Sequence, residues 1–92
     1  MSFTKESATE RAKQDLAKRL DVDAGSVREV SVAEKDFPDM SLGAPVDGEM
    51  SAQMIATGWE IRLEADDKPY EYRADQYQLR LVDFDGANHV IE

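Results

Sequence analysis

The chain has no cysteine and a single histidine in 92 residues. That leaves no disulfide, no thiolate nucleophile and no Cys-ligated zinc, and His89 alone makes neither a metal cluster nor a catalytic triad. Long apolar runs are also missing: no stretch approaches the roughly 18 apolar residues that span a bilayer. The opening Met1-Ser2-Phe3-Thr4-Lys5-Glu6-Ser7 lacks the basic start and apolar run of a secretory signal, which makes a cytoplasmic location the expectation. Positive charge is scarce, with 11 Lys and Arg against 20 Asp and Glu and a net charge of −9. Such a surface repels phosphate backbones and anionic headgroups, so neither nucleic acid nor membrane is expected as a partner. There is no Gly-rich phosphate loop, basic aromatic stripe, internal repeat or low-complexity tract.

What is present suffices for a folded domain. Hydrophobic residues make up 41% of the chain, with three Phe, three Tyr and one Trp. A chain of this size hides about two-thirds of the surface that its unfolded form exposes. Residues 1–92 therefore read as one small domain that needs no metal or disulfide staple. The acidic residues are scattered, 11 Asp and 9 Glu, as in a solubility coat; a field that attracts a basic partner is the alternative.

Ala8, Ala12, Leu16 and Leu20 recur at a spacing of four among charged residues, which predicts an amphipathic helix over about residues 5–20. Ser7-Ala8-Thr9-Glu10 has the spacing of a capping box, with Thr4 or Ser2 as caps of an earlier start. Lys18 and Arg19 close the helix where its dipole favours cations.

Beyond Gly25 the period becomes two, and a strand is expected over about 27–35 with Val30 and Val32 on one face. Trp59, Ile61, Leu63 and Ala65 alternate with Glu60, Arg62, Glu64 and Asp66. A turn at Asp66-Asp67-Lys68-Pro69 follows, and then Tyr70, Tyr72 and Ala74 alternate with Glu71, Arg73 and Asp75. Strands are thus expected over about 59–66, 69–75 and 77–83, the last with Leu79 and Leu81 facing one way and Gln78 and Arg80 the other. Residues 50–56 are a further strand candidate. Thr57-Gly58 then either closes a hairpin, the preferred reading, or marks a bulge. The tail from Asp85 shows no pattern and is expected to fray.

The architecture that buries every single-sided element is α+β: one N-terminal helix packed across one face of a four- or five-stranded antiparallel meander sheet. Trp59, Tyr70 and Tyr72 belong beneath Ala12, Leu16 and Leu20 in that arrangement, and Glu60, Arg62, Glu64, Glu71 and Arg73 lace a wet opposite face.

The segment from Phe37 to Glu49 holds two prolines and two glycines in thirteen residues and is a loop. Its length makes it the candidate binding segment, through Phe37, Pro38, Asp39, Met40, Ser41, Leu42, Gly43 and Pro45. In one reading it presents Leu42 or Met40 to a partner. In the other, which is preferred, Phe37 and Leu42 fold inward and plug the sheet. Met50 and Met54 read first as core filler and second as an adaptable binding patch.

Pro38-Asp39-Met40-Ser41-Leu42-Gly43-Ala44-Pro45, Ala52-Gln53-Met54-Ile55, Gly58-Trp59-Glu60-Ile61 and Tyr70-Glu71-Tyr72-Arg73 together resemble a family of small, uncharacterised prokaryotic proteins. That family carries an aromatic-Pro-Asp-x-Ser-Leu-Gly-Cys-Pro loop, a Gly-Tyr-x-Ile strand and a Tyr-Glu-Tyr-His strand. The resemblance runs from about Ala8 to Val82. Many members look exported and have a second cysteine near the C-terminus; here Ala44 stands at the loop cysteine and no cysteine follows, as a reducing cytosol favours. The resemblance implies no chemistry. More loosely, the order of helix and meander is similar to PepSY domains and to cystatin-like folds.

The carboxylates imitate chemistry without completing it. Asp83-Phe84-Asp85-Gly86 and Asp21-Val22-Asp23-Ala24-Gly25 lack the glycine and glutamate positions of a calcium loop. Glu60, Glu64 and Glu71 sit among Arg62 and Arg73 as cross-strand ion pairs. His89 reads as a solvated surface residue. The expectation is a non-enzymatic protein-interaction module without cofactor or metal, binding an unknown protein partner or forming a homodimer by edge-strand pairing. A peptidase-inhibitor or small-ligand module of PepSY type is the alternative.

Overall fold

The computed structural model describes residues 2–92. A helix, α1 (Lys5–Leu20), precedes a single 3₁₀ turn (Ala24–Ser26) and five strands. These are β1 (Arg28–Phe37), β2 (Ala56–Ala65), β3 (Lys68–Ala74), β4 (Leu79–Phe84) and β5 (Ala87–Val90). The strands pair in chain order as one antiparallel meander, so β1 and β5 are its edges. The fold is α+β, with the N-terminal helix packed on one face of the sheet.

The core follows from the two periods. Ala8, Ala12 and Leu16 from the helix are fully buried against Ile61, Leu63, Tyr72 and Leu81 from the sheet. The small alanines let the helix approach closely enough for a Tyr ring to fit beneath it. Trp59 and Tyr70 are half-buried at the margins of this cluster. Burial of these large apolar side chains, each worth about 1.5–3 kcal/mol when removed from water, is what holds the two layers together.

Several local features differ from the sequence expectation. The helix is capped at Thr4 instead of Ser7: Thr4 Oγ1 accepts from Ser7 N at 3.1 Å, and Ser7 Oγ accepts from Thr4 N at 2.8 Å. Ser7 and Thr4 thereby exchange the two bonds that a Ser7–Glu10 box would have made, because the helix starts at Lys5, as its apolar period predicted, one turn before a Ser7 cap would start it. Thr57 and Gly58 form neither hairpin nor bulge; they lie inside β2 opposite Asp36 and Lys35. Glycine is required there because a Cβ on Gly58 would stand 2.0 Å from the Ala74 carbonyl oxygen. The bulge is instead in β1, between Glu29 and Ser31.

Met50–Ile55 forms no strand. Pro38 follows the last β1 pair, Phe37 with Ala56, and β3 ends at Ala74 opposite Trp59. Chain preceding Ala56 therefore has no strand on either side to pair with, and strand propensity without a partner is not enough. Met50 and Met54 are consequently exposed instead of filling the core. The tail is ordered as β5. Asp85 (φ 53°) and Gly86 (φ 81°) take the left-handed conformations of a tight two-residue hairpin, for which Asp-Gly is a favoured pair. His89 is half-buried in that hairpin, its Nε2 lying 3.1 Å from the Phe84 carbonyl.

Candidate functional site

The face of the sheet opposite the helix is not simply wet. The 38–55 connection leaves β1, crosses that face and returns to β2, and its anchor is a small second core. Phe37 and Leu42 are buried with Ala56, and Met40 packs against them half-exposed. The reversal at Leu42 and Gly43 uses left-handed backbone at both residues, φ 60° and 66°. Asp39 organises this turn by accepting from Ser41 N at 2.9 Å, from the Ser41 hydroxyl and from Gly43 N at 3.2 Å. The Ser41 hydroxyl, helped by the Gly43 amide, holds the Asp39 carboxyl below the usual carboxylate range.

Side chains of the sheet then hold the loop by its carbonyls. Gln78 Nε2 donates to Met40 O (2.7 Å), Arg73 Nη1 to Leu42 O (2.9 Å), Arg80 Nη1 to Ala44 O (3.1 Å) and Asn88 Nδ2 to Pro45 O (2.9 Å). Arg73 also places its guanidinium 5.5 Å from the centre of the Phe37 ring. Arg80 is buried under the loop, where a two-pronged pair with Glu49 (2.6 Å on each prong) and Gln78 Oε1 (2.7 Å) satisfy its remaining donors. The bonds from Arg80 keep the Glu49 carboxyl below its ordinary value. The alternation of β4 did place Arg80 on this face; what covers it was not legible.

This geometry sorts the sequence-derived candidates. Phe37, Ser41 and Leu42 are buried and structural in position, so Leu42 is not presented to solvent. Pro38, Gly43 and Pro45 are exposed along the loop, with Asp39 and Met40 half-buried beside them. Further exposed residues lie downstream: Met50 and Met54, whose second reading was a binding patch, and Ile55 and Tyr77, which no sequence motif marked for binding. Met50, Met54 and Ile55 are 97%, 64% and 73% exposed, and Tyr77 is 72% exposed. They share one end of the sheet: Met40 N donates to Ala52 O at 3.0 Å, and Gln78, next to Tyr77, donates to Met40 O. The available signal was Pro38, which ends the ladder that Met50–Ile55 would have needed.

The glutamates of the strands on this face, Glu60, Glu64 and Glu71, are engaged with cations. Glu60 lies between Lys35 Nζ and Arg62 Nε, each at 2.9 Å. Lys35, then Arg62, hold its carboxyl below the ordinary range, and Glu60 in turn raises Arg62. Such pairs keep carboxylates ionised near neutrality, the opposite of the raised acid that hydrolytic chemistry uses. An open cleft at the other end of the sheet is lined by Tyr70, Phe84 and Val82 together with charged side chains of both signs, among them Arg62, Lys68, Glu71 and Asp85. Among the described residues no three His, Cys, Asp or Glu side chains come together as metal ligands, and no helix is long and apolar enough to cross a membrane.

No curated protein and no solved structure matches the chain significantly. A family model does, over residues 9–82, nearly the stretch over which the sequence resembled a small uncharacterised family. The matched region includes most of the helix, the pinned loop, the exposed 50–55 segment and β1 to β3. On that match the chain belongs to the family described as a domain of unknown function, DUF8738.

Proposed function

We propose that the protein is a cytosolic, non-enzymatic module that binds another protein through the end of the sheet formed by Met50, Met54, Ile55 and Tyr77. Of the pinned loop, the exposed Pro38 and Gly43 and the half-buried Asp39 and Met40 form the rim of this surface, and Pro45 lies further along the face, where Asn88 holds its carbonyl. One observation carries the reading: four of the six large apolar side chains left exposed among the described residues, Met50, Met54, Ile55 and Tyr77, lie on segments tied to one another through Met40 at this end, while Val30 and Val90 stand apart from them on β1 and β5. Exposed apolar groups in a cluster mark interaction surfaces more often than scattered ones do. Methionine suits such a surface because its unbranched, polarisable side chain adapts to different partners. The loop's carbonyl anchors hold the base of the surface in place, which lowers the ordering cost of binding.

The experiment is site-specific photocrosslinking in cells, with a photoreactive residue at Met54 and, separately, at Glu10 on the exposed side of the helix. A discrete adduct from position 54 that is absent from position 10 and weakened by Ile55→Asp supports the reading. Equal adducts from both positions, or none from position 54, 50 or 77, sink it.

A further inference from the structure

We infer that Met50–Ile55 is a strand awaiting its partner, and that the partner is an extended, basic segment of another protein that pairs with it main chain to main chain. This rests on the protein-binding reading above and specifies the partner's shape and charge. The first observation is the backbone. Among the described residues, the one main-chain hydrogen bond made by this segment is at Ala52, whose carbonyl accepts from Met40 N at 3.0 Å. The other main-chain donors and acceptors of Met50–Ile55 are left to solvent, as on a sheet edge. The segment runs directly into β2, so a strand added here continues an existing ladder instead of nucleating a new one.

The second observation is the side-chain alternation. Extending the period of β2 backwards places Met50, Ala52 and Met54 on the face of Ala56, beside Met40, and Ser51, Gln53 and Ile55 on the helix face. A paired strand would thus gain Met50, Ala52 and Met54 as apolar neighbours on one face and Ile55 on the other. The third is charge. Met50–Ile55 has no charged side chain of its own, but Asp36 lies at its β2 end, bonded to Thr57 at 2.8 Å, and Asp39 precedes Met40. With a net charge of −9, a second copy of this chain is repelled and a Lys- or Arg-bearing segment is attracted. The competing edge, β1, is guarded by its bulge and by Arg28, Glu29, Glu34, Lys35 and Asp36, the devices that keep sheet edges from pairing.

The test is amide hydrogen exchange on the whole chain with synthetic probes of about 12 residues: one alternating Val with Lys, one alternating Val with Glu, and the Val–Lys peptide interrupted by proline. The Val–Lys peptide is expected to slow exchange at residues 50–55 by at least about tenfold, and the other two are expected to leave it unchanged. Gln53→Pro is expected to abolish that protection while Gln53→Ala keeps it, and circular dichroism should show both variants folded because Gln53 N–H is unused in the free protein. Equal protection by the Val–Glu peptide, protection confined to β1, or no effect at about 1 mM peptide overturns the inference. So does protection that appears on raising the protein concentration alone, which would make a second copy the occupant. If the Met54 crosslink persists while the Val–Lys peptide does nothing, strand addition fails and the binding reading stands.

Discussion

The Tyr72 hydroxyl donates to the Asp15 carboxylate at 2.7 Å, joining the middle of the sheet to the third turn of the helix across the core. Asp15 is held in turn by Arg19 Nε, also at 2.7 Å, one helical turn further on. The ring of Tyr72 is fully buried, so the hydroxyl would lose a hydrogen bond to water without this partner. The pair also fixes the register between layers: sliding the helix by one turn would separate the two groups.

Tyr72→Phe should therefore cost about 1–2 kcal/mol in urea unfolding, because Asp15 keeps Arg19 and the ring stays in place. Burial, reinforced by the Asp15 carboxylate, raises the Tyr72 hydroxyl above its ordinary value. A group that is harder to ionise in the folded state stabilises fully below its unfolded value and loses that contribution as pH rises. Wild-type stability should accordingly fall as pH rises above about 10, and Tyr72→Phe should flatten that fall. Urea midpoints from pH 8 to pH 11.5 check this; identical alkaline slopes for the two proteins would refute it.

Gly58→Ala should be among the most damaging small substitutions in the chain. The added Cβ meets a backbone carbonyl at 2.0 Å, with Asp75 Cβ at 3.1 Å, so β2 and β3 must part for it to fit. A cost of about 3 kcal/mol or more is expected. Gly25→Ala is the control, since nothing lies within 4 Å of its Cβ position, and it should change stability by less than about 0.5 kcal/mol. Equal urea midpoints for the two variants would show that the close approach is not what Gly58 is for.

The pinned loop should come loose in acid. Asp39 and Glu49 both ionise more readily in the folded protein than when free. Groups shifted this way stabilise above their unfolded values, 3.8 and 4.5, and the contribution drains away as pH falls through the folded ones. Amide exchange at Ser41, Leu42 and Ala44, corrected for its intrinsic pH dependence, should show protection that is full above about pH 5 and declines below about pH 4. Arg80→Met should reproduce the loss at neutral pH, with roughly tenfold to hundredfold faster exchange at those residues and the helix-side core left unchanged. Unaltered exchange in that variant would mean that the carbonyl anchors are incidental.

The helix and β2, β3 and β4 were legible because each carries its period over many residues: Leu16 and Leu20 at four, Ile61 and Leu63 at two. What failed depended on partners distant in sequence. The anchors of the 38–49 loop join Arg80 to Glu49 and Asn88 to Pro45, 31 and 43 residues apart, and no local pattern announces such bonds. Met50–Ile55 has an acceptable strand composition but no neighbour, a fact of topology and not of propensity. The β4–β5 hairpin was within reach, since Asp85-Gly86 is a turn signal in its own right, and both residues take the left-handed backbone such a turn needs.

At the helix start three caps were readable, Ser2, Thr4 and Ser7, and the structure uses Thr4. Thr4 has the extended backbone of a cap residue, φ −107° and ψ 172°, and Ser7 occupies the third helical position. Thr4→Ala removes a side-chain acceptor from an otherwise orphaned amide and should cost about 1 kcal/mol. Glu10→Ala, which would break the box if Ser7 were the cap, should stay within about 0.5 kcal/mol of wild type. Because Phe3 N also donates to Gln76 O at 2.8 Å, fraying at Thr4 should release that tie to the β3–β4 turn, and the amide of Phe3 should exchange faster in Thr4→Ala but not in Glu10→Ala. The reverse order of urea midpoints would move the cap to Ser7 and detach the first turn from the helix.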